Sequence, residues 1–289
     1  MSEAAWELVR QGEAMRLERR GPIMRLVLDR GPANEIGLVA LADLEAALDV
    51  IDHTDARVLL IESALPTSFS AGADLRELQR ELAVHSASGR TRAEAAGEVR
   101  AFLDRIHAAL DRLDMLPLTT IAALHGVVMG GGFELALACD LRVADQSTRF
   151  AFPELRLGLV PGWGGTVRLK REAPPSLVRD LLLTGRTLGA ERAYTLGLVS
   201  QVVPRGEAEA AAWRMAEQCA RFLPGPIAQT KRLTKRLDPA ELAAEKEAFI
   251  ALFSDESGGD GGPVARALAT FVHSKDVRPY MPSSPTKGS

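Results

Sequence analysis

No run of apolar residues in this 289-residue chain approaches the roughly 18 that a membrane-spanning helix requires, so no membrane partner is expected. The opening stretch, Met1–Arg20, mixes acidic with basic residues and lacks an apolar h-region, so it does not read as a secretory signal. Charge of one sign is lacking as well: 35 Lys and Arg face 38 Asp and Glu, a net of −3 with a pI near 6.0. Duplex binders carry a strong basic excess, so nucleic acid is not the expected main partner. Cysteine is scarce. Cys139 and Cys219 form no CxxC, sit in apolar helical contexts, and read as buried free thiols in a reduced, cytoplasmic setting. The five histidines (His53, His85, His107, His125, His273) form neither HxxH nor HExxH, so no metal site is expected. Internal repeats and long low-complexity tracts are missing too.

What remains is ordinary soluble material: 46% apolar residues, 25% charged, and a mean hydropathy of zero. Ile23–Leu28 and Arg57–Glu62 are β-branched and apolar runs of strand length. Between them Leu38, Leu41, Leu44, Leu48 and Ile51 recur at helical spacing, and strand–helix–strand predicts a right-handed βαβ unit. Thr119–Leu124, Leu141–Ala144 and Phe150–Phe152 read as further strands, and Phe133–Cys139 as a nearly uncharged helix. A long helix is predicted through Val99, Leu103, Ile106, Leu110 and Leu113, after a segment, His85–Arg92, without periodicity. From about Ala190 the chain turns helical, over Glu207–Phe222, Gly225–Leu237, Pro239–Phe253 and Pro263–His273. The expected organisation is an α/β core over 1–205, a helical region over 206–278 and a disordered tail over 279–289.

Three segments do not read as ordinary core. Phe69-Ser70-Ala71-Gly72-Ala73-Asp74-Leu75 is a small-residue turn opening into a helix, which leaves N–H groups free to meet negative charge, although such a turn taken alone is more often just a tight connection. Met129-Gly130-Gly131-Gly132-Phe133-Glu134 places three glycines before a helix and lets a ligand approach the backbone closely. The spacing fits neither a phosphate-binding loop nor a dinucleotide fingerprint. Glu134 stands in the first turn of a helix that is apolar all round; it is either a functional buried carboxylate or a charge placed to complement the helix dipole. Glu154 ends an apolar strand ahead of the glycine-rich Pro161-Gly162-Trp163-Gly164-Gly165-Thr166. Two carboxylates flanking one pocket can divide into acid and base when their environments separate their pKa values; a surface glutamate after a strand is the alternative.

Together, FSAGADL (Phe69–Leu75), GGGFELALACDL (Gly130–Leu141) and PGWGGT (Pro161–Thr166) resemble, in order and spacing, the crotonase superfamily, the enoyl-CoA hydratase/isomerase family. The resemblance runs from about Ile23 to Phe253. It implies a crotonase-like α/β spiral of ββα units with a C-terminal helical trimerisation region, assembled as homotrimers or hexamers. It further implies an oxyanion hole from the N–H groups of Ala73 and Gly131, and catalysis by Glu134 and Glu154, twenty positions apart as in hydratases of the family. Gly162 falls where the family places a backbone N–H that helps hold the water. The implied substrate is an acyl-CoA, lying over Ala71, Gly72, Asp74, Leu75 and Gly130, with Lys275 meeting its phosphates. No cofactor is implied, since coenzyme A belongs to the substrate. Trp163 suits either stacking on substrate or packing on the next helix, and His125 is favoured as structural.

The sequence departs from the family pattern at three places. Val167 stands where glutamine is common, Asn34-Glu35-Ile36-Gly37 where an asparagine-alanine-leucine pattern is usual, and Lys275 follows Phe271 one residue late. These departures bear on specificity. The implied reaction is reversible syn addition of water to a 2-enoyl-CoA, giving a 3-hydroxyacyl-CoA. A Δ3,Δ2-enoyl-CoA isomerase, a thioester hydrolase or decarboxylase, and a non-catalytic RNA- or partner-binding scaffold are the alternatives.

Overall fold

The computed structural model describes residues 5–80, 92–257 and 261–273. Its main sheet has seven strands in the order β1 (Glu7–Gln11), β2 (Met15–Arg20), β3 (Ile23–Leu28), β5 (Val58–Ser63), β8 (Thr119–Leu124), β10 (Leu141–Asp145) and β13 (Gln201–Val203). The first three strands form an antiparallel meander, and from β3 onward every neighbour is parallel. The sequence reading had no strands before Ile23. The reason is visible: β1 is exposed along its whole length and β2 carries four charged residues in six, so neither shows a buried apolar run.

Four of the long strands, β3, β5, β8 and β10, are each followed by short strand and then by helix. Strand β4 (Glu35–Ile36) pairs in parallel with β7 (Gly72–Ala73), while β6 (Ser68–Ser70), β9 (Val127–Met129), β11 (Arg149–Ala151) and β12 (Leu188–Gly189) form a second sheet. Helix α1 (Leu38–Asp52) follows β4; α2 (Arg92–Met115) precedes β8; α3 (Gly131–Ala138) follows β9 directly. This repeat of long strand, short strand and helix is the spiral of ββα units expected above. The short strands lie at one end of the long ones, and this end carries the three glycine-containing segments.

A single large apolar core fills the space between the main sheet and helices α1, α2 and α3. The opposite face of the sheet is covered by α7 (Ala208–Cys219), for which α4 (Gly165–Glu172), α5 (Pro175–Thr184) and α6 (Ala190–Thr195) prepare the path. Residues alternate between the two faces with the period of two that a strand imposes: Leu59 and Ile61 enter the main core, whereas Val58 and Leu60 meet Ala208, Ala211, Ala212 and Ala216 of α7. Alanines suit that place because small side chains let a helix approach a sheet closely. Two more helices, α8 (Pro224–Thr234) and α9 (Pro239–Phe253), precede α10 (Gly262–His273). Asp238 caps α9 through the N–H of Ala240. Pro239–Phe253 was read to the residue, whereas Glu207–Phe222 runs past the observed Ala208–Cys219 and Gly225–Leu237 past Thr234, because periodicity does not mark where a helix frays.

One charged network is buried beneath the site. Arg168, fully buried, donates to Asp114 (2.9 Å) and Asp111 (2.5 Å), and Asp114 also meets Arg171 and Lys235. These three cations hold the Asp114 carboxyl below its usual range against the opposing effect of burial.

Candidate active site

The floor of the site is a close approach between two backbone turns. Gly72 has a positive φ of 93°, and a Cβ there would lie 2.8 Å from the Gly131 nitrogen and 2.7 Å from the Met129 oxygen. Only glycine fits such a contact in such a conformation. Asp74 donates its N–H to Ile36 O (3.2 Å), and successive N–H groups of a strand alternate sides, so the N–H of Ala73 faces away from β4. Gly131 is the first residue of α3, where an N–H has no acceptor within the helix. The two N–H groups thus belong to backbone segments in direct contact.

Asn34 sets the first of these turns. It occupies the left-handed region (φ 52°), which asparagine tolerates better than most residues. Its amide donates to Ser63 Oγ (2.7 Å) and Phe69 O (2.9 Å). Ser70 Oγ donates to Asn34 O and accepts from the Gly72 N–H. This asparagine opens the segment noted above as departing from the family pattern, and its role was not legible without the structure.

Both glutamates flank the glycine turn. Glu134 is buried on the first turn of α3, and its Oε1 accepts the N–H groups of Trp163 (2.8 Å) and Gly165 (2.7 Å). Glu154 opens a short 3-10 turn, Glu154–Leu157, and its Oε1 would lie 2.9 Å from a Cβ on Gly130. Though the residue is partly exposed, its Oε2 is buried and has no hydrogen-bond partner among the described residues. Burial pushes the Glu154 carboxyl up to about 8, with the charge of Glu245 adding to the rise. Glu134 is also raised well above the ordinary carboxylate range, by burial first and then by the charges of Glu245 and Glu154; the two N–H bonds work the other way and favour its ionised form.

Trp163 packs rather than projecting freely. It is buried, its ring covers Gly131 so closely that a Cβ there would lie 2.0 Å from Cζ3, and it tilts against Phe102 with centroids 6.0 Å apart. It also lines a mostly apolar cavity of about 320 Å³, together with Ile36, Ala73, Leu78, Phe102 and Phe249. Gly162 packs on the Phe249 ring, and its carbonyl accepts from His107 Nε2 (2.7 Å).

The structure therefore brings Gly72, Ala73, Gly130, Gly131, Glu134, Glu154, Gly162 and Trp163 to one place. Asp74 borders the cavity, but one carboxyl oxygen caps the helix over 75–80 through the N–H groups of Arg76 and Glu77. Leu75 is half-buried against the core, and the Ala71 N–H is committed to Ala33 O (2.9 Å). Lys275 lies outside the described residues. His125 donates to Leu65 O (2.6 Å), the structural use favoured for it. Cys139 is buried with its thiol pushed up to about 12 by burial, and Cys219 is half-buried.

Sequence reasoning missed Glu245 and His107. Glu245, on α9, lies on the same face as the buried Leu242, Phe249 and Phe253, and His107 follows Leu103 by one helical turn on the buried face of α2. A titratable residue on the apolar stripe of a helix was the available signal in both cases.

A fold of repeated ββα units with two raised carboxyls, Glu134 and Glu154, flanking a glycine turn is the architecture on which the comparisons with known proteins bear. The family model described as Enoyl-CoA hydratase/isomerase matches residues 18–261. The chain is 36% identical over 214 residues to the mitochondrial methylglutaconyl-CoA hydratase of Rattus norvegicus, covering 73% of this chain and 64% of that protein. It is 38% identical over 226 residues to carnitinyl-CoA dehydratase of Salmonella arizonae, covering 77% and 80%. Among solved structures, enoyl-CoA hydratase from Bacillus anthracis superposes with a TM-score of 0.69 at 28% identity, covering 91% of this chain and 93% of that one. The chain belongs to the enoyl-CoA hydratase/isomerase family, the crotonase superfamily of enzymes.

Proposed function

We propose that the chain is a hydratase-type lyase that adds water reversibly and syn to a 2-enoyl-CoA, giving a 3-hydroxyacyl-CoA. The thioester oxygen accepts the N–H groups of Ala73 and Gly131, and these stabilise the enolate that forms as water attacks C3. Glu134 takes the proton of that water: its two N–H bonds favour the ionised form and orient it. Glu154 gives the proton to C2, since a carboxyl raised to about 8 is neutral at pH 7. The C3–O bond forms, the double-bond electrons pass to the thioester enolate, and the enolate collapses onto the Glu154 proton. Coenzyme A enters as part of the substrate, and the chemistry so written uses no further cofactor. The acyl group takes the apolar cavity behind Trp163.

The single observation that supports this reading is the pair of raised carboxylates on either side of a turn where Gly72 touches Gly131. An isomerase needs one carboxylate to move a proton; the second weighs toward water addition. The test is the loss of conjugated-thioester absorbance with crotonyl-CoA, for the parent chain and for Glu134→Gln and Glu154→Gln. Consumption of a 3-enoyl-CoA but no 2-enoyl-CoA would favour the isomerase. Assembly into trimers or hexamers belongs to the same reading. The exposed Phe222, Leu223 and Leu233 offer apolar surface for it, and light scattering on the purified chain reads the stoichiometry.

A further inference from the structure

The turn 162–166 is gripped by carboxylates from two distant parts of the chain. Its four successive N–H groups alternate between them: Trp163 and Gly165 donate to Glu134 Oε1, while Gly164 donates to Glu245 Oε1 (2.5 Å) and Thr166 to Glu245 Oε2 (2.7 Å). Thr166 Oγ1 adds a short bond to the same Oε2. Two carbonyls are held as well, Gly162 by His107 Nε2 (2.7 Å) and Trp163 by Arg168 Nη1 (2.9 Å). Glu245 is only 6% exposed on an otherwise apolar helix face. A carboxylate there is tolerated because both of its oxygens are satisfied.

We propose that Glu245 is a positioning residue for Glu134: it fixes the turn whose alternate N–H groups aim the Glu134 carboxylate and whose Trp163 ring covers Gly131. The inference rests on reading Glu134 as the base in water addition. Without Glu245, two donors lose their acceptor and the turn rotates; Trp163 and Gly165 then no longer present their N–H groups to one oxygen. A single residue of α9 thereby sets both the carboxylate and the backbone donor. The titratable groups that interact with Glu245 are Glu134 from α3, Glu154 from the 3-10 turn and His107 from α2; His107 in turn feels Asp111 of its own helix and Arg168 of α4, which holds the Trp163 carbonyl of the same turn. On its own helix, Glu241, Lys246 and Glu247 pair outward with Lys170, Asp104 and Arg100.

The test is Glu245→Gln in the full chain. Gly164 and Thr166 donate to different oxygens of Glu245, and glutamine replaces one of these with an NH2, so one of the two N–H groups faces a donor instead of an acceptor. The expected result is a kcat about 10-fold lower or more with KM changed by less than about 3-fold, since misplaced catalytic groups reduce turnover rather than binding. Removal of a like charge lowers the pKa of Glu154, so the limb of the kcat/KM profile set by that acid moves to lower pH; at Glu134 it opposes the rise that follows when the Trp163 and Gly165 N–H groups no longer reach the carboxylate. Glu245→Asp, which keeps the charge, should restore the profile toward the parent's, and Thr166→Val should lower kcat without moving it. Carboxyl-carbon NMR titration of Glu134 reads the same coupling without any turnover. A Glu245→Gln variant with parental kcat and an unmoved Glu134 titration would overturn the inference. If that variant does not fold, Glu245→Asp and Thr166→Val decide: parental kcat in both overturns it. If the parent chain fails to hydrate 2-enoyl-CoA, the proposed function falls, while the Glu134 titration still judges the clamp.

Discussion

Replacing Glu154 by glutamine should change how the stability of the protein depends on pH, and the structure fixes the sign. Glu154 Oε2 is buried without a partner among the described residues, and burial raises the carboxyl from 4.5 to about 8. Between those values the folded chain keeps a proton that the unfolded chain has released, so the stability tied to this group is full below pH 4.5 and is lost as pH rises through about 8. The interval spans about 3.5 pH units, and at about 1.36 kcal/mol per unit the ceiling is about 5 kcal/mol. Solvent reaching the rest of this partly exposed residue trims the figure, so the decline falls below that ceiling. Glutamine cannot ionise, so Glu154→Gln removes the decline. Urea denaturation of parent and variant from pH 5 to pH 9 provides the assay. The stability difference, variant minus parent, should climb from pH 5 and level off above about 8. Glu62, buried and raised to about 7, and Glu134 are present in both proteins, so the contribution of Glu62 cancels. The change at Glu134 has the same sign, because losing the Glu154 charge eases its ionisation. A difference that stays flat with pH would refute the reasoning that Glu154 is a neutral acid in the folded state.

Glu134→Gln should keep the fold, because both N–H bonds fall on Oε1 and an amide oxygen can accept them; kcat should drop about 10²- to 10⁴-fold, the usual size of a general-base effect, in a steady-state assay with crotonyl-CoA. Gly131→Ala sets a methyl group against the buried Trp163 ring and should destabilise the chain by about 1–3 kcal/mol in chemical denaturation, with kcat/KM falling as the N–H of residue 131 moves. Asp114→Ala leaves Arg168 buried beside Arg171 and Lys235 with a main counter-charge gone, and should cost about 3–5 kcal/mol by the same measurement.

The fold was legible where burial writes itself as pattern. Strands β3 and β8 were read to the residue, because both are apolar runs flanked by breaks in pattern, and the leucine spacing of α1 gave its place. The meander formed with β1 and β2 was not legible, because an exposed, charged strand gives no buried alternation to read. In the site, the glycines announced themselves through spacing, and Gly72, Gly130 and Gly164 do hold positive φ values. Glu134 was ambiguous in sequence between a dipole charge and a functional acid; the geometry adds two N–H donors and a second buried carboxylate beside it. Glu245 stayed hidden because its partners are backbone groups about 80 residues upstream, and hydrogen bonds to backbone leave no mark on residue type. Asn34 stayed hidden for the related reason that its value lies in a φ of 52° and three separate turn contacts.

The most direct measurement is NMR analysis of the product formed from crotonyl-CoA in deuterium oxide. If Glu134 delivers water to C3 and Glu154 a proton to C2 on the same face, the product is a 3-hydroxyacyl-CoA with one deuterium at C2 in the syn position, and either Gln variant slows its appearance. Unchanged crotonyl-CoA, a 3-enoyl-CoA, or free coenzyme A as the product would contradict the assignment.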